Sequence, residues 1–547
     1  MLVPHGGLVM KSSFLRLAVG ALLCLPACLF FQSNAQDAGT SKPVLKTNTR
    51  LVVVDVVVTD AESHAISGLD ARDFTVQEDG HPQKISGFSF QQAGTRVTQV
   101  ALHLPPNVVS NIPRQKANSL NVVLLDTLNG DFAGHVAAQD ALIRFLDSAQ
   151  LTQPMAIFSM QEKLVMLHDF TTDSAALKAV VQKFRPPARN NGSESTESRI
   201  SAFTTKGDYH TDDRNIEATL NQLHLLARTL AGYPGRKNVI WLSESFPLVL
   251  APETAAQDSI SAASQGGSVT APTREPTTFT AIRDSNVSNS YAALVKKLAD
   301  SLMIAQVAIY PVDSTGLGKD DHLGSQHTMS ELAYSTGGRA FFNSNDLEVS
   351  LRTSLDDGSS YYTLTYYPDN KEWNGKFRTI SIKATRPGAK LRYRLGYYAI
   401  DPNAASKEET KAASEDFSRA LTLDAPSVTA VLFEASVVLP SDKTQGKVVV
   451  NFGIDPHTLA FDRSSDGLEH ASVNCVVWAF SGKGDPIRSE GNRTASLKES
   501  EYQQIMNSYF PCQRSISLKP GHYMLRLGVL DSSTNQMGTT TTEVTVP

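Results

Sequence analysis

Residues 118–130 read NSLNVVLLDTLNG. Within this stretch NVVLLD is apolar on both faces of an extended chain until Asp126 ends the run. A strand with one wet face alternates apolar and polar side chains, so a run without alternation predicts a central parallel strand covered on both sides. The chain beyond it changes period in step. HVAAQDALIRFLDSAQ (135–150) has helical spacing, PMAIFSM (154–160) repeats the buried-strand pattern, and KLVMLHDF (163–170) reads as an adjoining strand. DSAALKAVVQKF (173–184) predicts a helix opened by a capping Asp or Ser. NIEATLNQLHLLARTLAGYPG (215–235) predicts a long helix stopped by Gly and Pro, followed by the strand KNVIWLS (237–243). YAALVKKLADSLMIA (291–305), QVAIYPVD (306–313) and TMSELAYSTGGRAFF (328–342) continue the alternation. Strands and helices at this spacing predict a doubly wound, Rossmann-like α/β domain over 118–358. Asp126 then stands at the carboxyl end of a central strand, the edge where such sheets bind ligands.

The flanks are β in character. Residues 45–92 hold LVVVDVVVTD (51–60), a short strand within GLDARDFTVQEDG (68–80), and QKISGFSF (83–90). These are too few strands to be stable alone. Residues 359–400 supply three tyrosine-rich strands, SSYYTLTYYP, KFRTISIKAT and LRYRLGYYAI. The two groups are expected to complete one another in a single β-sandwich into which the α/β domain is inserted. The polar stretch DPNAASKEETKAASED opens a linker over 401–423, and 424–547 predicts a second β-sandwich from VVVNFGI, ASVNCVVWAF and GHYMLRLGVLD. Two stretches, 186–212 and 251–288, are rich in Ser, Thr, Asn and Pro and lack apolar period. The second follows WLSES at the carboxyl edge, so it reads either as a lid or partner-binding loop or as a disordered insertion.

At 547 residues the chain exceeds a single core and suggests about three or four units. A formal net charge of -5 offers no basic field for nucleic acid. Lys11 and Arg16 precede the apolar run LAVGALLCLPACLFF, with Ser33 and Ala35 behind it, which predicts a signal peptide over 1–35. The run is shorter than the roughly 20 apolar residues a membrane helix needs, so no span is expected after cleavage. Cys28 sits in LPAC, but the apolar LFF behind it is a poor start for a lipoprotein. Cys24 and Cys28 would leave with the signal. Cys475 and Cys512 remain in one exported domain, as a disulfide worth roughly 4 kcal/mol or as two buried thiols.

The phrases LVVVDVVVTD, GLDARDFTVQEDGHPQKISGF, ELAYSTGGRAFF, YYTLTYYP and RYRLGYY together resemble the acidobacterial von Willebrand factor A-related family of exported proteins, over about residues 45–400. The resemblance implies a von Willebrand factor A-like domain. Metal-binding members of that superfamily end the first strand in Asp-x-Ser-x-Ser and take a Thr and a second Asp from later loops. Oxygen ligands at a sheet edge suit an octahedral Mg²⁺. By that resemblance Asp126 matches the first ligand, Asn129 offers an amide oxygen and Glu244 replaces the later aspartate, a degenerate metal-dependent adhesion site. Leu128 and Gly130 stand where the serines belong. Thr127 lacks the motif's spacing and Thr211 is a weak stand-in for the loop threonine. The open alternative is that Asp126 caps a turn and accepts backbone hydrogen bonds.

No nucleophile elbow, phosphate loop, zinc-protease motif or C-x-x-C occurs, and the histidines are scattered. Ser243 and Ser245 have no identified base. The expected function is therefore a non-enzymatic adhesion or envelope-assembly module that binds a protein partner, located in the periplasm, the envelope or outside the cell. The alternatives are a metal-free structural scaffold and a hydrolase with an unrecognised site.

Overall fold

Alternation along Ser119–Asp126 sends Leu120, Val122 and Leu124 to one face of a five-stranded sheet and Val123 and Leu125 to the other, and both faces are buried. The computed structural model describes residues 51–92, 98–99, 104–130, 132–186, 209–244, 288–314, 323–342, 347–400, 407–482 and 484–547. The proposed signal segment, Ser245 and nearly all of the two polar stretches lie outside them. Residues Lys46–Pro547 form one compact unit.

In the sheet the strands run in the spatial order Leu164–Thr171, Met155–Met160, Ser119–Asp126, Arg236–Ser243, Val307–Asp313. Leu164–Thr171 is antiparallel to its neighbour and the remaining pairs are parallel. Helices Tyr209–Leu230, Ser288–Ile304 and Leu323–Thr336 cover the face of Leu120, Phe158, Trp241 and Ile309. Helices Phe132–Ser148, Ser174–Lys183 and Leu347–Asp357 cover the other. This is a doubly wound α/β unit, and the strand order reverses between Ser119–Asp126 and Arg236–Ser243. STGG (335–338) ends a helix: Leu323–Thr336 stops before Gly337, whose φ of 78° is one an L side chain rarely adopts.

Val52–Thr59 pairs with Ser360–Tyr366, and Phe74–Glu78 pairs with Phe377–Ala384, so strands from both flanks share two four-stranded sheets. Tyr362, Tyr366 and Tyr397 point into this sandwich. There Tyr366 and Tyr397 meet a buried ion pair. Glu78 accepts from Arg378 Nη1 at 3.1 Å, from the Tyr366 hydroxyl at 2.8 Å and from the Tyr397 hydroxyl at 2.9 Å. The guanidinium also donates to the Asn370 carbonyl at 2.8 Å and stacks 5.2 Å from the Trp373 ring centroid.

Two features correct the domain reading. The linker assigned to 401–423 contains the helix Lys407–Ala420, whose Ala413, Phe417 and Ala420 are buried together with Leu421. Their spacing of four, three and one is a narrow helical stripe, hidden in the sequence among charged residues. The second sandwich is not confined to 424–547, because Val108–Ser110 completes one of its sheets beside Phe433–Val438. Three residues are too few to carry a strand period. Cys475 and Cys512, on opposite sheets of this sandwich, are joined in a disulfide.

Replacing Arg378 with Ala leaves Glu78 buried without its cation, which is expected to cost about 3–5 kcal/mol. Chemical denaturation of Arg378→Ala beside the parent chain measures this. A loss below about 1 kcal/mol would show the pair to be wet in solution.

Candidate functional site

Asp126 ends its strand at the strand-order reversal, and its carboxylate is buried. Oδ1 accepts from the backbone N–H groups of Leu128 at 2.9 Å and Asn129 at 3.0 Å. Oδ2 accepts from Asn129 Nδ2 at 2.9 Å, Trp241 Nε1 at 3.1 Å and Ser243 Oγ at 2.7 Å. Asn129 Nδ2 also donates to Thr219 Oγ1 at 3.0 Å, which ties the knot to helix Tyr209–Leu230, while its buried Oδ1 has no partner among the described residues. Burial pushes the Asp126 carboxyl above the ordinary carboxylate range, and the hydrogen bonds from Asn129 and Ser243 act against that shift.

Glu244 follows Ser243 directly and is also buried. Its side chain fills the space beside Gly130 and Gly134, and a methyl on Gly134 would overlap the carboxylate. That places its charge by the first turn of helix Phe132–Ser148, where a negative group is favoured by the helix dipole. Thr127 Oγ1 donates to the Met160 carbonyl at 3.0 Å, so it fastens two strand ends. Thr211 lies in the first turn of Tyr209–Leu230, with its side chain outside the described residues.

The structure thus brings Asp126 and Asn129 together, but as acceptor and donor. A divalent cation needs several oxygen lone pairs converging on one point. Both oxygens of Asp126 instead receive hydrogens, and Trp241 Nε1 has no lone pair to offer. Leu128 and Gly130 supply no hydroxyl, and Asn129 Oδ1 is a single neutral acceptor. The set Asp126, Asn129 and Glu244 does not fit Mg²⁺. Among the described residues no group of three His, Cys, Asp or Glu is arranged to hold a metal. Trp241 and Thr219 were not legible as partners; the one hint was a Trp in an otherwise aliphatic strand.

A second buried polar cluster escaped the sequence reading. Ser301 Oγ lies 2.8 Å from His224 Nδ1, and Asp416 Oδ2 lies 3.6 Å from His224 Nε2. This has the membership of a Ser-His-Asp triad, but Asp416 is bound by both Lys297 and Arg419, and Ser301, His224 and Asp416 are all buried. The cluster fastens helix Lys407–Ala420 to Tyr209–Leu230 and Ser288–Ile304. Burial holds the imidazole well below its ordinary value, helped by the charges of Arg228, Lys297 and Arg419. Asp416, already matched by two cations, does not offset them.

No family model matches this sequence, and no curated protein does. Among solved structures the chain is similar to von Willebrand factor type A from Catenulispora acidiphila, 9% identical over 87% of this chain and 74% of that one, with a TM-score of 0.21. The ArnB paralog VWA2 from Sulfolobus acidocaldarius is 8% identical over 86% of this chain and 75% of that one, with a TM-score of 0.21. Proximal thread matrix protein 1 from the mussel byssus is 12% identical over 44% of this chain, with a TM-score of 0.23, and the match spans 48% of its length. No described helix is long and apolar enough to cross a membrane.

Asp126→Ala leaves the donors of Trp241, Ser243 and Asn129 without their acceptor and is expected to cost about 3 kcal/mol or more. Denaturation midpoints of both chains should be unmoved by Mg²⁺ or EDTA. A cation-dependent rise in the parent midpoint would restore the metal site. The His224 cluster sets a pH dependence. The unfolded chain takes up a proton near pH 6.5 and the folded chain does not, so the contribution is intact above that value and is lost as pH falls below it. Stability should drop between pH 7 and 5 with a slope approaching about 1.4 kcal/mol per pH unit, and His224→Gln should flatten that part of the curve.

Proposed function

We propose that the chain is an exported, non-enzymatic protein-binding module of the adhesion or envelope-assembly kind, and that it makes its contact at the carboxyl edge of the α/β sheet without a cation. The observation that carries this reading is Phe132. It opens the helix Phe132–Ser148 directly behind the Asp126 loop and is 62% exposed. A lone exposed Phe is ordinary on a protein surface. What distinguishes this one is its position beside the strand-order reversal, where doubly wound sheets receive their ligands.

The knot around Asp126 gives that edge a fixed shape. Five donors on one carboxylate hold the Leu128–Asn129 turn and the end of Arg236–Ser243 in one geometry, so the edge is preorganised without metal. An aromatic side chain on a rigid edge is the kind of anchor that dominates protein interfaces. Export is supported by the signal-like leader and by the Cys475–Cys512 disulfide, a bond that persists in oxidising compartments.

The test is binding of the exported chain to intact cells of the producing organism. Phe132→Ala should weaken binding about tenfold and EDTA should leave it unchanged. Binding that EDTA abolishes while Phe132→Ala leaves it intact would overturn the reading.

A further inference from the structure

We propose that the outer face of the C-terminal sandwich binds an acidic polysaccharide, a glycan bearing uronate carboxylates. The strand Val448–Ile454 lies inside its sheet and buries Val448, Val450, Phe452 and Ile454. Val449, Asn451 and Gly453 therefore face outward. Across the sheet, Val449 stands opposite Val438 and Ser515, and Asn451 stands opposite Ser436 and Gln513. A cleft of about 360 Å³ opens over these rows, with Lys443, Lys447 and Thr444 of the adjoining turn along its rim.

The chemistry of the lining is that of a hydroxyl- and carboxylate-binding surface. Gln513 Nε2 donates to Asn451 Oδ1 at 2.6 Å, and Asn451 Nδ2 reaches Ser436 Oγ at 3.4 Å. This orients both amides, and Gln513 Oε1 and the second amide hydrogens remain for a ligand. Lys443 and Lys447 are exposed and make no ion pair with any described residue, so their charge faces solvent. Asp442 shares the turn but does not line the cleft. One row further along the strand, about 7 Å from Asn451 by strand rise, the Tyr509 ring lies over Gly453, 3.5 Å from where a Cβ would stand. Glycine there leaves room for an exposed aromatic platform in line with the amides and the two cations. Aromatic platform, oriented amides and unpaired lysines form one stripe.

An acidic peptide is the competing ligand. Peptides are captured by adding a strand to a sheet edge. Here the backbone groups of Val448–Ile454 are engaged by Phe433–Val438 on one side and Phe510–Ile516 on the other. The middle of the cleft therefore offers only side chains, and amides beside a tyrosine face match sugar hydroxyls and ring faces; a strand-adding peptide would have to sit beyond Phe510–Ile516, at the end of the sheet.

The experiment is calorimetric titration of the full exported chain with polygalacturonate fragments, beside dextran as the uncharged control and polyglutamate as the peptide control. Polygalacturonate should bind with a salt-weakened affinity and dextran should not. The double substitution Lys443→Glu, Lys447→Glu should weaken binding at least about tenfold, and Gln513→Ala several-fold. Both variants are on the surface, and an unchanged denaturation midpoint confirms their folding. No binding of polygalacturonate, or equal binding by the double variant, overturns the proposal; binding of polyglutamate at the same affinity overturns its assignment to a glycan.

Discussion

The pairing of Val52–Thr59 with Ser360–Tyr366 closes a loop of about 300 residues and holds both ends of the α/β unit at one place. Closing a loop grows costlier only slowly with its length, so a large insertion is tolerated once the strands that clamp it are well buried. The clamp is also welded to its cargo. Tyr361, on the second of these strands, donates to the Asn118 carbonyl and accepts from the Arg236 N–H at 3.1 Å, at the starts of the two central parallel strands. The tyrosines of Ser360–Tyr366 thus serve two junctions: Tyr362 and Tyr366 fill the sandwich while Tyr361 reaches the α/β sheet.

At the opposite edge of that sheet the problem is a buried carboxylate. Removing Asp126 from water is costly unless its charge is met by donors or by a cation. This chain meets it with donors from two segments, the 126–129 turn and the Arg236–Ser243 strand through Trp241 and Ser243, while Asn129 also donates to Thr219 on the neighbouring helix. A carboxylate saturated by hydrogens has lost its use as a metal ligand and gained one as a fastener.

The second sandwich is attached through the helix Lys407–Ala420, whose Phe417 and Ala420 share a buried apolar cluster with Val476, Trp478 and Met537, and through polar contacts at the helix ends. Asp416 links helix Lys407–Ala420 to Lys297 of the α/β unit, and the buried Arg526 closes the other end by donating to the carbonyls of Ala420 and Pro426 at 2.7 Å. A guanidinium on the last carbonyl of a helix meets the negative end of its dipole. Burial lowers the Arg526 pKa to about 10, which leaves it charged at neutral pH.

The sequence by itself determined the local periods: the unalternating run at 121–126, the helical stripes around it and the alternating tyrosine strands. Hydrophobic period is a property of neighbouring residues and survives without knowledge of the fold. It also showed that the oxygen ligands expected after Asp126 were absent at Leu128 and Gly130. What only tertiary structure decided is who meets whom across long separations. The donation of Trp241 and Ser243 to Asp126, the seat of Val108–Ser110 in the last sandwich, and the gathering of His224, Lys297 and Asp416 join residues more than 70 positions apart. Nothing in the local pattern encodes such contacts, because each polar group's partner is chosen by the packing of apolar faces elsewhere in the chain. The helix at 407–420 failed to show for the same reason. Its few apolar residues acquire meaning only when the surfaces that cover them are in place.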